Sequence, residues 1–282
     1  MRVSIQDLKA YKARGERFSM LTAYDYATAC ILDAAGIPVL LVGDSLGMVA
    51  LGHETTLPVT LDDIIHHCQA VVRGARNALI VADLPFLTYQ VSPEEALRNA
   101  GRLIQEGGAQ TVKLEGGREL ANTVERIVTA GIPVMGHLGL TPQSVNQLGG
   151  FRVQAKTVET IRELVSDAHA LEAAGAYALV LECIPTAAAK IVTDSVSIPT
   201  IGIGAGPECD AQVQIITDLL HLIPGRIPKH ARAYMEVGDL IRQAVEQYDA
   251  DVRGGIFPTE KESFALPKGV DLEALNVTLD EG

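Results

Sequence analysis

The chain has 282 residues, 48% of them hydrophobic, with 35 acidic against 23 basic side chains and a formal net charge of −12. That length supports one large core, and barrels near this size fold as single units. The 21% charged content and positive mean hydropathy exclude long intrinsic disorder. The acidic balance excludes nonspecific nucleic-acid binding, which needs clustered Lys and Arg against phosphates, and 12 aromatic rings without Trp make a poor stacking platform for bases.

No apolar run approaches the roughly 20 residues that cross a bilayer; the best, such as Ile37 to Val42, are strand-sized, so no membrane association is expected. The first 18 residues carry charges every few positions and no apolar stretch of a secretory signal, which predicts a cytoplasmic protein. Cys30, Cys68, Cys183 and Cys209 lie far apart without zinc-ligand spacing, and separate reduced thiols are expected.

A short N-terminal helical segment is predicted first. The first strand is SMLTAYD (Ser19 to Asp25). Four later segments, Ala34 to Ser45, Gly107 to Gly117, Ala130 to Gly139 and Ala174 to Pro185, share one pattern. In each, a helix-like run closes in small residues and a glycine (Gly36, Gly108, Gly131 or Gly175), and a continuous apolar run ending in polar residues follows. A left-handed glycine ends a helix, and strands buried on both faces read as continuous apolar runs. ALIVADLPF (Ala78 to Phe86), PTIGIGAG (Pro199 to Gly206) and QIITDLL (Gln214 to Leu220) bring the predicted strands to eight.

Between them, Ile64, Ile65, Cys68, Val71 and Val72 fall on one helical stripe, as do Ala96, Leu97, Ala100, Leu103 and Ile104. Thr60, Ser92-Pro93 and Thr141-Pro142 read as helix starts. Eight strands alternating with helices predict a (β/α)8 TIM barrel in a single domain over 1–282, with an extended tail from about 256; a doubly wound open sheet is the rival.

The strand ends carry the chemistry. Reading each to its C-terminus gives Asp25, Asp44-Ser45, Asp83, Lys113 and Glu115, His137, and Glu182, which in a barrel gather on the face that carries the active site. Asp44, Asp83 and Glu115 are hard oxygen ligands suited to Mg2+, although Asp44 alone reads equally well as a turn cap. Lys113 and Glu115 share a strand face, so Lys113 either neutralises its neighbour or binds a substrate carboxylate or enolate oxygen. Glu182 ends an apolar run, a setting that raises a carboxyl's pKa and suits a general base; the alternative is pairing with a basic rim residue. His137 is accessory, either a proton relay, a ligand or a hydrogen-bonded core residue. GIGAG (Gly202 to Gly206) lacks the last glycine of a nucleotide fingerprint and reads as a tight turn or a close backbone approach. Arg226 to Arg232 and Glu260 to Glu262 read as solvated surface, and His66-His67 is discounted as a metal pair.

TAYD (Thr22 to Asp25), VGDSLGMV (Val42 to Val49), TLPVTLDD (Thr56 to Asp63), ADLPF (Ala82 to Phe86), VKLEGG (Val112 to Gly117), GHLGLTPQSV (Gly136 to Val145), LECIP (Leu181 to Pro185), PTIGIGAG and FPTEKESF (Phe257 to Phe264) occur in order along nearly the whole chain. Their combination resembles the ketopantoate hydroxymethyltransferase family. The resemblance implies a magnesium-dependent (β/α)8 barrel, usually a homodecamer. Its reaction would move a one-carbon unit from 5,10-methylenetetrahydrofolate to 3-methyl-2-oxobutanoate, giving 2-dehydropantoate for pantothenate and coenzyme A. Carried onto matching positions, it implies that Asp44 and Asp83 bind Mg2+, with Glu115 completing or orienting the shell. Asp44, Ser45, Asp83 and Lys113 would contact the oxo acid, and Glu182 would accept the proton. The chain departs from the family pattern at Asn146, Ala155, Ala211, Thr217 and Glu262, where His, Gly, Gly, His and His respectively are expected. Rival functions are a related Mg-dependent lyase or mutase of the isocitrate lyase and phosphoenolpyruvate mutase group, and a catalytically silent metabolite-binding barrel.

Overall fold

The computed structural model describes residues 2–225 and 227–270. Eight parallel strands close into a barrel in sequential order: β1 (Phe18–Thr22), β2 (Val39–Val42), β3 (Leu79–Asp83), β4 (Thr111–Glu115), β5 (Val134–Gly139), β6 (Ala178–Glu182), β7 (Thr200–Ile203) and β8 (Ala211–Gln214). β8 pairs with β1 and excludes the open-sheet alternative. The helices are α1 (Ile5–Ala13), α2 (Tyr26–Ala34), α3 (Leu46–Val49), α4 (Leu61–Gly74), α5 (Pro93–Gln105), α6 (Ala121–Thr129), α7 (Val145–Leu148), α8 (Val158–Ala173), α9 (Thr186–Ser195), α10 (Ile216–Leu219) and α11 (Val237–Arg253).

Alternation along each strand divides the core in two. Phe18, Met20, Val39, Leu41, Leu79, Val81, Met135, Val180, Ile201 and Val213 fill the barrel interior. Their neighbours Leu21, Leu40, Val42, Ile80, Ala82, Val112, Leu114, Leu179 and Leu181 belong to the outer cluster with the helix stripes, including Ile64, Cys68, Ala100 and Leu103. Leu8 of α1 is fully buried with the interior cluster, where Val3, Ile5 and Tyr11 also pack, and so helps close the N-terminal end of the barrel. Burial of such a side chain contributes about 1.5–3 kcal/mol.

The predicted punctuation is present. Gly36, Gly108, Gly131 and Gly175 take φ of +79°, +78°, +92° and +99°. Thr60 forms a capping box with Asp63, and the Ser92 hydroxyl accepts the Glu95 N–H ahead of α5. Thr141 makes no side-chain cap, and Pro142–Ser144 is a single 3-10 turn.

The eighth strand differs from expectation. QIITDLL is not a strand: β8 is the preceding AQVQ, and Ile216–Leu219 is α10. Ala211 and Val213 point into the barrel while Gln212 is exposed, so β8 alternates instead of reading as an apolar run. The apolar residues after it pack as a helical turn, with Ile216 in the outer cluster.

The barrel unit spans Met1–Met235, and a second unit spans Glu236–Gly282. The latter holds α11, none of whose residues is buried, and an exposed 3-10 turn, Glu260–Glu262, capped by Thr259. The rest of the expected tail is without helix or strand through Val270, and its remainder, 271–282, lies outside the described residues.

Candidate active site at the barrel mouth

Inward-facing positions turn ionisable near the C-terminal strand ends, where Asp83, Lys113, Glu115, His137 and Glu182 continue the interior columns. Strand register places them side by side: Asp83 opposite Lys113, Glu115 opposite His137, and Glu182 opposite Gly139. With Asp44 and Ser45 they line a cavity of about 510 Å³ at the mouth. Asp44, Asp83, Lys113, Glu115 and His137 are all buried.

Lys113 Nζ lies 3.0 Å from Asp83 Oδ1, so Lys113 pairs across strands and not with Glu115 two residues on. The Asp83 Oδ2 accepts the Asp44 N–H at 3.0 Å. The Asp44 side chain does not cap a turn; its Oδ2 accepts a 2.8 Å hydrogen bond from Gln143 Nε2. Ser45 Oγ lies 2.8 Å from Tyr24 Oη. Glu115 is held on both oxygens, Oε2 by the Gln143 N–H at 3.0 Å and Oε1 by His137 Nδ1 at 3.3 Å. His137 Nε2 reaches Glu182 Oε2 at 3.2 Å. His137 thus bridges two carboxylates, and Glu182 has an imidazole partner beside its apolar surroundings.

Burial and the charges of Asp83 and Glu115 push the Asp44 carboxyl well above the ordinary range. Burial also raises Asp83 against the pull of Lys113. Burial would raise Glu115, but hydrogen bonding to His137 and the charges of His137 and Lys113 hold it low. For His137, burial and the Lys113 charge act downward, yet the bonds to Glu115 and Glu182 win and raise it to about 9. Lys113 is raised because Asp83, Glu115 and Asp44 outweigh its burial.

A dication suits this arrangement. Four carboxylates, Asp44, Asp83, Glu115 and Glu182, gather around two cationic partners, Lys113 paired with Asp83 and His137 placed between Glu115 and Glu182. Asp83 Oδ1 is buried, with the Lys113 ammonium 3.0 Å away. Among the described residues no three His, Cys, Asp or Glu side chains are gathered as a ready-made cage. That fits Mg2+, which keeps waters and is commonly held by one or two carboxylates plus substrate oxygens. Asp44 and Asp83 would be the direct ligands, with Glu115 already engaged by His137 and Gln143.

Local backbone sets Glu182 in place. Cys183 has φ +46°, turning the chain immediately after the strand, with its N–H on Ile203 O at 2.8 Å and its carbonyl accepting from Gln154 N–H at 2.9 Å. Gly139 lies at φ +93° against the Glu182 carbonyl, where a Cβ would collide with that oxygen. Gly206 of GIGAG likewise packs where a Cβ would strike the Thr186 side chain, a close approach of backbone to side chain.

Two sequence readings change. Asp25 is exposed and caps α2 by accepting the Thr28 N–H at 2.8 Å, so it does not join the mouth. His230, within the stretch read as solvated surface, lines the cavity with Pro228, while Arg226 lies outside the described residues. Gln143 and Tyr89 were not singled out, yet they brace the site. Gln143 donates to Asp44 and Leu84 O, and accepts from Tyr89 Oη at 2.7 Å. The only sequence trace of Gln143 is its place in GHLGLTPQSV. His66 and His67 touch edge to face, and His67 Nδ1 lies 2.6 Å from Tyr24 O, a structural role.

A closed parallel barrel with ionisable groups gathered at the C-terminal strand ends defines a TIM-barrel enzyme. The sequence profile of the family described as Ketopantoate hydroxymethyltransferase matches residues 2–260. The 3-methyl-2-oxobutanoate hydroxymethyltransferase of Dehalococcoides mccartyi (strain BAV1) is 60% identical over 270 residues, covering 96% of this chain and 97% of the relative. The protein of that name from Clostridioides difficile (strain 630) is 53% identical over 275 residues, covering 98% and 100%. The chain therefore belongs to the ketopantoate hydroxymethyltransferase family, and it is a hydroxymethyl-transferring enzyme. Among solved structures, phosphonopyruvate hydrolase in complex with oxalate and Mg++ aligns with a TM-score of 0.61 at 12% identity, covering 94% of this chain and 92% of that one. A 2,3-dimethylmalate lyase of the PEP mutase/isocitrate lyase superfamily aligns at 0.58 and 16%, covering 94% and 93%. At such identities these likenesses show the shared fold.

Proposed function

We propose that the chain transfers the one-carbon unit of 5,10-methylenetetrahydrofolate to C3 of 3-methyl-2-oxobutanoate, giving 2-dehydropantoate on the route to pantothenate and coenzyme A. The observation that carries this reading is the gathering of four carboxylates around Lys113 and His137 at the mouth, with Glu182 at the rim 3.2 Å from His137. Asp44 and Asp83 would hold Mg2+, which when bound supplies a Lewis acid to the carboxylate and keto oxygens of a 2-oxo acid. Lys113 offers a buried positive charge for the same oxygens. Glu182 takes the C3 proton, and His137, 3.2 Å away, keeps its carboxylate oriented. Ser45, tethered to Tyr24, offers a hydroxyl to the oxo acid.

The setting we propose is the cytoplasm, in keeping with four unpaired thiols. No described helix is long and apolar enough to cross a membrane. We also propose self-association, to a homodecamer by family resemblance, supported by exposed Leu240, Ile241, Val245, Tyr248 and Val252 on α11. Light scattering tests that assembly; a monomeric mass contradicts it. The reaction is tested by proton NMR of the two substrates with enzyme and Mg2+. The hydroxymethyl signal of 2-dehydropantoate is expected, and its absence over many equivalents of enzyme refutes the reading.

A further inference from the structure

The cavity has a second wall that the chemistry above leaves unused. Asp218 of α10 and His230 of the following loop line the mouth together with Cys183. His230 is anchored there: its Nδ1 lies 3.8 Å from Cys183 Sγ, and its Cβ sits where any side chain at Gly204 would meet it at 2.9 Å. Among the described hydrogen bonds none engages the Asp218 carboxyl, which interacts with His230 and His221 through charge. Burial raises its pKa, while those two imidazoles act in the opposite direction.

The proposed reaction needs such groups. Over one turnover the methylene carbon loses two C–N bonds and gains one bond to C3 and one to a water oxygen. Two carrier nitrogens each receive a proton, one equivalent to that removed from C3 and one from water. The first wall is occupied: Lys113 with Asp83, His137 with Glu115 and Glu182, and Asp44 with Gln143.

Resting on the function proposed above, we infer that Asp218 and His230 form a second proton-handling pair that serves the one-carbon donor. When a C–N bond breaks, its electron pair stays on nitrogen, which takes a proton from the pair. Water forms the C–O bond as it gives up one O–H proton, and that proton restores the pair. No external oxidant or reductant enters.

Asp218→Asn and His230→Gln test this with three readouts. The first is deuterium exchange at C3 of 3-methyl-2-oxobutanoate with Mg2+ and no folate; the second is transfer at saturating 5,10-methylenetetrahydrofolate; the third is calorimetric affinity for tetrahydrofolate. The expected result is a kcat for transfer lowered on the order of 10²-fold, the usual scale of acid–base catalysis. Exchange should stay within about twofold and tetrahydrofolate affinity within about threefold of the parent. Undiminished transfer in both variants overturns the inference. So does an equal loss of exchange and transfer, which marks a structural role, or a raised donor KM at unchanged kcat, which marks binding alone. An unsubstituted enzyme that makes no product sinks the underlying function as well, and is thereby distinguished from failure of this pair alone.

Discussion

Gln143→Met is the most informative perturbation of the site's scaffold. Methionine nearly preserves the volume but offers neither donor nor strong acceptor. Four bonds vanish: those donated to Asp44 Oδ2 at 2.8 Å and Leu84 O at 3.0 Å, and those accepted from Tyr89 Oη at 2.7 Å and Gln90 Nε2 at 3.4 Å. Tyr89 keeps the Glu115 carbonyl at 3.0 Å, so two buried acceptors are left stranded. At about 1–3 kcal/mol each, with the carboxylate toward the upper end, the expected loss is about 3–5 kcal/mol. The backbone N–H of residue 143 still reaches Glu115, so the loop keeps one tether. Without the Gln143 amide, Asp44 moves further toward its neutral form, and Mg2+ affinity should fall by about 10–100-fold. Urea unfolding of the metal-free chain and Mg2+ titration calorimetry measure the two effects. A parent-like urea midpoint with parent-like Mg2+ affinity would refute the bracing role.

Ala155 has φ +52°, in the left-handed region that favours glycine, at a position where the family pattern expects Gly. Ala155→Gly should therefore stabilise the chain by a few tenths to about 1 kcal/mol, read as a raised urea midpoint; a lowered midpoint contradicts this. Asp33 accepts the N–H groups of Arg76, Asn77 and Ala78, tying α2 to the approach of β3, and those bonds hold its carboxyl below the ordinary value against a burial penalty. Its stabilisation is complete above the unfolded carboxyl pKa and is lost as pH falls through the lower folded value. Asp33→Ala should cost about 2 kcal/mol at neutral pH and less in acid. An equal cost at pH 7 and pH 2.5 would contradict that linkage.

The barrel and its mouth were legible because both obey local rules. Buried parallel strands read as continuous apolar runs, glycines close the helices before them, and charged residues at strand ends stand out against that background. Lys113 and Glu182 were visible in this way. β8 was misplaced because its outward residue Gln212 is exposed, so AQVQ carries no apolar run, while the neighbouring QIITDLL does. Asp25 looked like its neighbours in sequence, and only the path of the chain into α2 made it a cap. Gln143 and His230 reach the site from loops across the mouth, and the pairing of Lys113 with Asp83 depends on strand register. No local pattern encodes such long-range meetings.

The central claim is that Glu182 removes the C3 proton in a site that needs a divalent cation. Deuterium exchange at C3 of 3-methyl-2-oxobutanoate, followed by proton NMR without folate, isolates that step. The account predicts exchange that depends on Mg2+, stops on chelation and falls by at least about 10²-fold in Glu182→Gln with the fold intact. Exchange that persists at the parent rate in Glu182→Gln, or with chelator present, would contradict it.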